Sequence, residues 1–496
     1  MDRRQFISGT AILGAGLSLP AGRSRRLFAA TLPADLTSLD ATDLSAAIYQ
    51  KHASCAEVMQ AYLDRIHNYN PVYNAIVGMV DDDDLLSQAQ EADQALARGE
   101  YRGWMHGMPH AAKDLTPVAG LRFTSGSPLY ADRIADSDSG LVARIRSEGA
   151  IFIGKTNTPE LGLGSQSYNS VYGATGSAYN PALTSGGSSG GAASGLGTQM
   201  LPVADGSDMM GSLRNPGAFN NVIGFRPSIN LMSDSNSATR GLSTSGPMGR
   251  NTRDTIRLLQ TIAVGPVADQ FNPLSLVNIK IGWLGNLDNY LALEPGILEL
   301  CESSLAAVSS AGANVEATLP DFSMTDLWFC WTTLRHAGRY RGNTKNLYDN
   351  PATRAQLKPE LIWEIEQSIN ITETDVANAT SIRNDWYSEL DRLFGEYDFL
   401  ASSTAQVFPY SKETHWPKNI NGREMDTYHR WMEVVILGSL GGIPVVNVPV
   451  GFDAQGRSMG MQIMGRFGED QKVLEFALAY ENVTAHLEQR PVMVSF

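Results

Sequence analysis

Two serine-centred clusters between Thr184 and Ser228 have the residue types and spacing of acyl-transfer chemistry. The first is Gly186-Gly187-Ser188-Ser189-Gly190-Gly191, and the second is Asp208-Met209-Met210-Gly211-Ser212-Leu213-Arg214. Glycines flanking a serine let the backbone take positive φ and approach another group closely. A serine held in such a turn can present its hydroxyl and the neighbouring backbone N–H groups to one cavity, which is how a nucleophile and an oxyanion hole are made. A glycine-serine run has two blander readings. A flexible linker would continue into polar, low-complexity sequence, whereas Ala192–Val203 is small and apolar and suits a buried helix. A Walker-type phosphate loop needs Gly-Lys-Ser/Thr, and Gly190-Gly191-Ala192 lacks the lysine. A serine hydroxyl attacks poorly until a base removes its proton, and the 8 histidines are scattered with none in a recognisable triad context.

After the first forty or so residues the chain resembles the amidase signature family of serine hydrolases over nearly its full length. The resemblance rests on Gly107-Met108-Pro109 followed by Lys113-Asp114, on the run Gly154–Glu160, on Asn180-Pro181, and on the two serine clusters. It continues through Gly224-Phe225-Arg226-Pro227, Ser245-Gly246-Pro247-Met248, Gly442-Ile443-Pro444, Val448-Pro449-Val450-Gly451 and Gly460-Met461-Gln462. It implies a Ser–Ser–Lys relay in which Ser212 attacks, Ser188, with a cis peptide bond, bridges, and Lys113 is the base. The 24-residue separation of the two serines agrees with that pattern. The backbone N–H groups of Met209, Met210 and Gly211, with that of Ser212, are the implied oxyanion donors. No metal and no organic cofactor is implied. One departure stands out: the family has a second glycine directly before Gly211, where this chain has Met210. That side chain is expected either to fill part of the pocket or to restrain the loop, and Met209-Met210 to offer a soft apolar wall. Asp208, Arg214, Asn157 and Glu160 are read as structural.

For the relay to work, Lys113 must be neutral when substrate binds. An ordinary lysine titrates near 10.4, and burial lowers that by desolvating the charged form. The apolar setting Pro109-His110-Ala111-Ala112 is compatible with burial, provided that Asp114 turns away into a hydrogen-bond network of its own.

The elements that must position these groups alternate between helix and strand. Asp40–Ile66 reads as two helices, the second opened by a capping box at Ser54-Cys55-Ala56-Glu57. Asp81–Asp84 leads into a helix through Ala97 and reads as a solvated helix start. Gly107–Asp114 is expected to be a strand, Leu141–Glu148 a helix and Ala150–Gly154 a buried strand. The alternation continues through Val203-Ala204, Val222–Phe225, a helix at Thr252–Ala263, Asn278–Trp283, a helix at Pro295–Ala311 and a strand at Tyr397–Ala401. This predicts an α/β class, and the resemblance makes it the amidase-signature fold: a central mixed, twisted β-sheet covered by α-helices on both faces. Residues 318–432 differ, with many aromatics, among them Trp328, Trp331, Trp363, Trp386, Trp416 and Trp431, and few strand signals. Most of these rings are expected in the core. By resemblance this is the variable part of the family, which shapes the substrate pocket.

The chain has 496 residues, 43% of them hydrophobic and 18% charged, an ordinary soluble balance with ample core. A formal net charge of −14 argues against nucleic acid or an anionic membrane as the main partner. Cys55, Cys301 and Cys330 match no metal spacing and read as buried small apolar side chains. At the N-terminus, Arg3-Arg4 precedes a short apolar run, Ala11–Leu19, ending near Ala21 or Ala29-Ala30. That stretch is too short to span a bilayer and looks like a twin-arginine export leader over residues 1–30, with the amidase domain over 31–496. A tail without structure is the alternative.

These readings lead to a periplasmic or secreted enzyme that hydrolyses an amide, an anilide or a carbamate through an acyl-enzyme. Its expected partner is a small-molecule amide, with no stable membrane anchor, and a homodimer stays open. Two rivals remain: an aminoacyl-tRNA amidotransferase component, and a non-catalytic binding protein on the same fold.

Overall fold

The computed structural model describes residues 32–232 and 241–495, so the expected leader lies outside the described residues. Among the described residues a 3-10 turn at Leu36–Ser38 is followed by three helices, α1 (Ala41–Tyr49), α2 (Cys55–Tyr73) and α3 (Asp82–Ala97). The capping box opens α2 as read: Glu57 N–H donates to Ser54 Oγ at 3.1 Å, and Ser54 N–H donates to Glu57 Oε2 at 2.8 Å. Asp82, Asp83 and Asp84 occupy the first turn of α3, where the helix dipole favours anions.

A short strand β1 (Ile76–Val77) pairs antiparallel with β3 (Ile151–Thr156), which pairs parallel with β2 (Pro109–Lys113). Helix α4 (Gly140–Ser147) leads into β3. After α5 (Gly190–Gly197) the chain enters the main sheet with β4 (Val203–Asp208). The remaining strands are β5 (Ile223–Arg226), β6 (Thr244–Gly249), β7 (Lys280–Trp283), β8 (Asn314–Ala317), β9 (Phe399–Ser403), β10 (Val445–Phe452) and β11 (Ser458–Met464). Eight strands lie in the order β8-β7-β9-β11-β10-β5-β6-β4. The β7–β8 and β7–β9 pairs are parallel and the other five antiparallel, so the sheet is mixed. The three-stranded piece joins it through side chains, because Asp205 of β4 receives His110 Nε2 at 3.0 Å and the Lys113 N–H at 3.4 Å.

The short α6 (Arg214–Phe219) after the second serine cluster was not among the expected elements, while helices α7 (Thr252–Ile262) and α8 (Ile297–Ser310) follow the sequence expectation. Residues 318–432 hold a helical layer: α9 (Met324–His336), α10 (Gly342–Asp349), α11 (Pro351–Arg354), α12 (Pro359–Ile369) and α13 (Glu373–Glu396). Helices α14 (Ile436–Gly441) and α15 (Asp470–Thr484) complete the cover. Trp331, Trp386 and Trp431 are fully buried in the main core, as expected for most of the aromatics. A second small apolar cluster joins Leu163 to Leu357, Leu361 and Ile365, which docks α12 on the loop after β3. The three cysteines are buried and unbridged. None of the helices among the described residues is long and apolar enough to cross a membrane.

Candidate active site

Lys113 ends β2 with its side chain wholly buried, and its Nζ stands 2.8 Å from Ser188 Oγ and 2.8 Å from Ser189 Oγ. Ser207 on β4 adds its Oγ at 3.1 Å and its carbonyl at 3.4 Å. Desolvation lowers the Lys113 amine from 10.5 to about 7, against the pull of the Asp205 and Asp208 carboxylates. Asp114 takes no part in that balance. Its carboxylate receives the Thr124 N–H at 3.1 Å, the Thr124 hydroxyl at 2.5 Å and the Gly126 N–H at 3.2 Å. The lysine therefore sits among neutral hydroxyls and releases its proton near neutrality.

Ser188 follows a cis Gly187–Ser188 peptide bond. The preceding turn is held by Ser165 Oγ donating to the Gly187 carbonyl at 2.6 Å, and Gly190 N–H donates to Ser167 Oγ at 3.0 Å. Only small residues could follow here. A Cβ on Gly191 would stand 2.3 Å from the Asn157 amide nitrogen, so α5 needs glycine to lie this close to the end of β3. Asn157 itself bonds Thr175 Oγ1 at 3.0 Å, and Glu160 Oε1 accepts from Ser127 at 2.8 Å, both as structural groups. The loop after Glu160 comes back over the serine: a methyl on Gly162 would lie 3.7 Å from Ser188 Oγ.

Ser212 stands at the entrance to α6, 9% exposed, in a loop organised by Asp208. Burial alone would raise the Asp208 carboxyl, but the Arg214 and Arg226 guanidinium groups hold it well below the usual carboxylate range. Arg214 donates to Asp208 through Nε at 3.0 Å and Nη2 at 2.9 Å, and to Gln462, Val435 O and Ser439 with the rest of its fork. Asp208 also receives the Gly211 N–H at 2.9 Å and the Leu213 N–H at 3.1 Å. This changes the oxyanion assignment read from the sequence. The Gly211 N–H is committed to a carboxylate, while those of Met209, Met210 and Ser212 donate to no partner among the described residues. Gly211 is still required, because its φ is +80° and a Cβ there would meet Asn215 Oδ1 at 2.0 Å.

Met210 restrains the loop rather than forming a pocket wall: it is 3% exposed and belongs to the main core. Met209, only partly buried, supplies the remaining soft surface. The two serine loops are joined by the Ser189 N–H donating to the Ser212 carbonyl at 3.2 Å. Among the described residues no hydrogen bond runs from Ser188 Oγ to Ser212 Oγ, so the first link of the relay is formed and the second is not. Catalytic hydrogen bonds commonly tighten only once substrate is held. Ser189, Ser207 and Asp205 were missed by sequence reasoning. Their signals were adjacency to Ser188 and the alternation along β4, and neither is specific.

A buried cluster of ionisable groups lies behind Met209. His336, Glu364 and His429 place ligand-type atoms within 4.8 Å of one another. Burial lowers His336 to about 4 and takes His429 well below its ordinary value, leaving both rings neutral. Burial would raise Glu364, but Arg335 and Arg339 hold it at about 2. A divalent cation would have to share Glu364 with two guanidinium groups 2.5 and 2.9 Å away, so the electrostatics oppose a metal at this spot.

The chain is similar to known proteins in sequence and in fold. The amidase family profile matches residues 57–474. The chain is similar to an acylamidase of Rhodococcus erythropolis, 30% identical over 91% of this chain and 97% of that protein. It is also 29% identical to a glutamyl-tRNA(Gln) amidotransferase subunit from Thermosynechococcus vestitus, over 90% of this chain and 98% of that one. In fold it is similar to a bacterial aryl acylamidase of the amidase signature enzymes, with a TM-score of 0.81, 24% identity, and coverage of 92% of this chain and 99% of that one. A peptide amidase of Stenotrophomonas maltophilia superimposes with a TM-score of 0.74 at 24% identity, over 92% and 98% of the two chains.

Proposed function

This chain belongs to the amidase family, and on that premise we propose that it hydrolyses acyl amides and anilides with Ser212 as nucleophile, Ser188 as proton bridge and Lys113 as base. It is a hydrolase of carbon–nitrogen bonds in linear amides. The observation that carries the residue roles is the 2.8 Å contact between Ser188 Oγ and a buried Lys113 whose amine is lowered to about 7.

In this mechanism Lys113 takes the Ser188 proton while Ser188 takes that of Ser212, and Ser212 Oγ bonds to the carbonyl carbon. The oxyanion meets the N–H groups of Met209, Met210 and Ser212, which have no partner among the described residues; losing one such donor costs about 3 kcal/mol of transition-state stabilisation. Ser188 then protonates the leaving nitrogen, the C–N bond breaks, and Lys113 returns the proton to Ser188. Water repeats the sequence on the acyl-enzyme, releasing the acid and restoring the Ser212 hydroxyl.

A preference for acyl amides is supported by the acylamidase relative. The amidotransferase reading also has a relative of similar identity, but a net charge of −14 is poorly suited to tRNA. Retention of Lys113, Ser188 and Ser212 together weighs against a non-catalytic binding protein. The Arg3-Arg4 motif and apolar run support export to the periplasm or beyond, with residues 31–496 as the amidase domain; cell fractionation checks this. A fluorophosphonate probe should label the wild type and not Ser212→Ala. Equal labelling of that variant would remove Ser212 from its role, and an unlabelled wild type would favour the binding protein.

A further inference from the structure

Arg335, at the end of α9, carries the variable helical layer into the oxyanion loop. Its guanidinium is buried and gripped on two sides, by Glu364 Oε1 at 2.5 Å from Nε and by Tyr428 Oη at 2.9 Å from Nη2. Tyr428 Oη also donates to Glu364 Oε1, which closes a three-membered network drawn from α9, α12 and the segment before Arg430. The third arm of the fork, Nη1, meets Met209 Sδ at 2.9 Å. Trp331, one turn earlier on α9, lies beside the group with its ring centroid 5.8 Å from Cζ.

Met209 is the first residue of the run Met209, Met210 and Ser212 that carries the proposed oxyanion donors. Three anchors fix that loop from the inside: Asp208 holds Gly211 and Leu213, Arg226 Nη1 donates to the Asp208 carbonyl at 2.7 Å, and Met210 is sunk in the core. None of them restrains the Met209 side chain, which is only partly buried, on its outer side. A thioether is a weak acceptor, so the contact contributes little energy by itself. Its importance is positional. A guanidinium locked by a carboxylate and a phenol is a rigid stop, and a methionine with three rotatable bonds takes one rotamer against it.

We infer that Arg335 is a positioning residue for the oxyanion loop, acting through Met209 to aim its backbone donors. The inference rests on Ser212 being the nucleophile. A purely structural role is the rival, since Arg335 also neutralises the buried Glu364; the two differ in what Met209 matters for. Met209→Leu keeps the side-chain bulk and leaves the Arg335–Glu364–Tyr428 network intact, so under the structural role it changes nothing. Under the positioning role Met209→Leu lowers kcat severalfold, and Arg335→Met lowers it by about ten- to a hundredfold, the range for a misplacement of up to an ångström. KM should stay within about twofold in both, because the donors act in the transition state.

The test measures kcat and KM on a chromogenic anilide for wild type, Met209→Leu, Arg335→Met and the double variant. Inhibition by a trifluoromethyl ketone, which forms an oxyanion on the nucleophile, is measured alongside. The inference expects the double variant to be no worse than Arg335→Met, and ketone affinity to fall in step with kcat/KM. It is overturned if Met209→Leu keeps full kcat, or if the two losses multiply. Should Arg335→Met fail to fold, Met209→Leu and its ketone affinity decide alone. Ser212→Ala run in parallel separates the premises: if it stays active, the nucleophile assignment falls, and this inference with it.

Discussion

Replacing Lys113 with methionine should make the protein inactive and more stable, by an amount that depends on pH. The Lys113 amine drops from 10.5 to about 7 because burial disfavours its charge. At about 1.4 kcal/mol per unit, that shift opposes folding by about 5 kcal/mol when the lysine is protonated. Methionine removes the charge at similar bulk but leaves the hydroxyls of Ser188, Ser189 and Ser207 without the amine. Lost hydrogen bonds of that kind return about 2 kcal/mol, so the net gain is about 3 kcal/mol. The sign follows from proton counting. Below about pH 7 the lysine is charged in both folded and unfolded chains and the whole penalty is present. Between about pH 7 and 10.5 the unfolded chain holds a proton that the folded one lacks, so wild-type stability rises with pH through that window. Thermal melts of wild type and Lys113→Met at one scan rate, at about pH 6, 8 and 10, should show a gap in Tm that is widest at the lowest pH and shrinks with each step. A gap independent of pH, or a methionine variant less stable than wild type at about pH 6, would refute a buried lysine of lowered pKa.

The same titration should appear in catalysis: kcat/KM rises with pH through about 7, and Lys113→Arg, which stays charged, abolishes the rising limb together with nearly all turnover. A profile centred near the ordinary lysine value would refute it. Gly211→Ala, whose Cβ would meet Asn215 Oδ1 at 2.0 Å in a residue with φ +80°, should lose at least about a hundredfold in kcat. Single-turnover acylation of an activated ester measures this, and a variant acylated at the wild-type rate counts against the loop geometry.

The chain announced its chemistry more plainly than its cover. Strands β2 and β3 stood out as short apolar runs ended by polar residues, and α2 and α3 by their caps. Lys113, Ser188 and Ser212 were legible because motifs in a fixed order tie them together, whereas their neighbours Ser189, Ser207 and Asp205 belong to no such order. The bond from Gly211 to Asp208 was hidden, since nothing in Asp208-Met209-Met210-Gly211 says which N–H turns inward. The helices of 318–432 were hidden for a different reason. The buried stripe of α13 runs Ala379, Arg383, Trp386, Glu389, Leu390, Leu393, Phe394, and two charged residues break the apolar period. Arg383 is buried there because its Nε donates to the Leu440 carbonyl at 2.9 Å, a partner 57 positions away. Helices α10 and α11, of 8 and 4 residues, are too short to show a period at all.

Asp208 connects the two halves of the site electrostatically. It is buried between two arginines, Arg214 and Arg226, within 3.0 and 3.8 Å, while Lys113 feels it only through space. If Asp208 lay against the lysine, the ammonium form would be stabilised and the base lost. If Arg214 were absent, an uncompensated buried carboxylate would draw a proton or distort the loop that carries Ser212. Pairing the acid with arginines, which keep their charge, leaves the lysine with hydroxyl partners that favour neither protonation state strongly. The arginine fork thus has two effects at once: it shapes the loop of the nucleophile, and it takes up much of the Asp208 charge, leaving Asp205 as the larger carboxylate pull that desolvation of Lys113 overcomes. A site built this way needs no histidine, because the low value of the base comes from where its charge is not compensated.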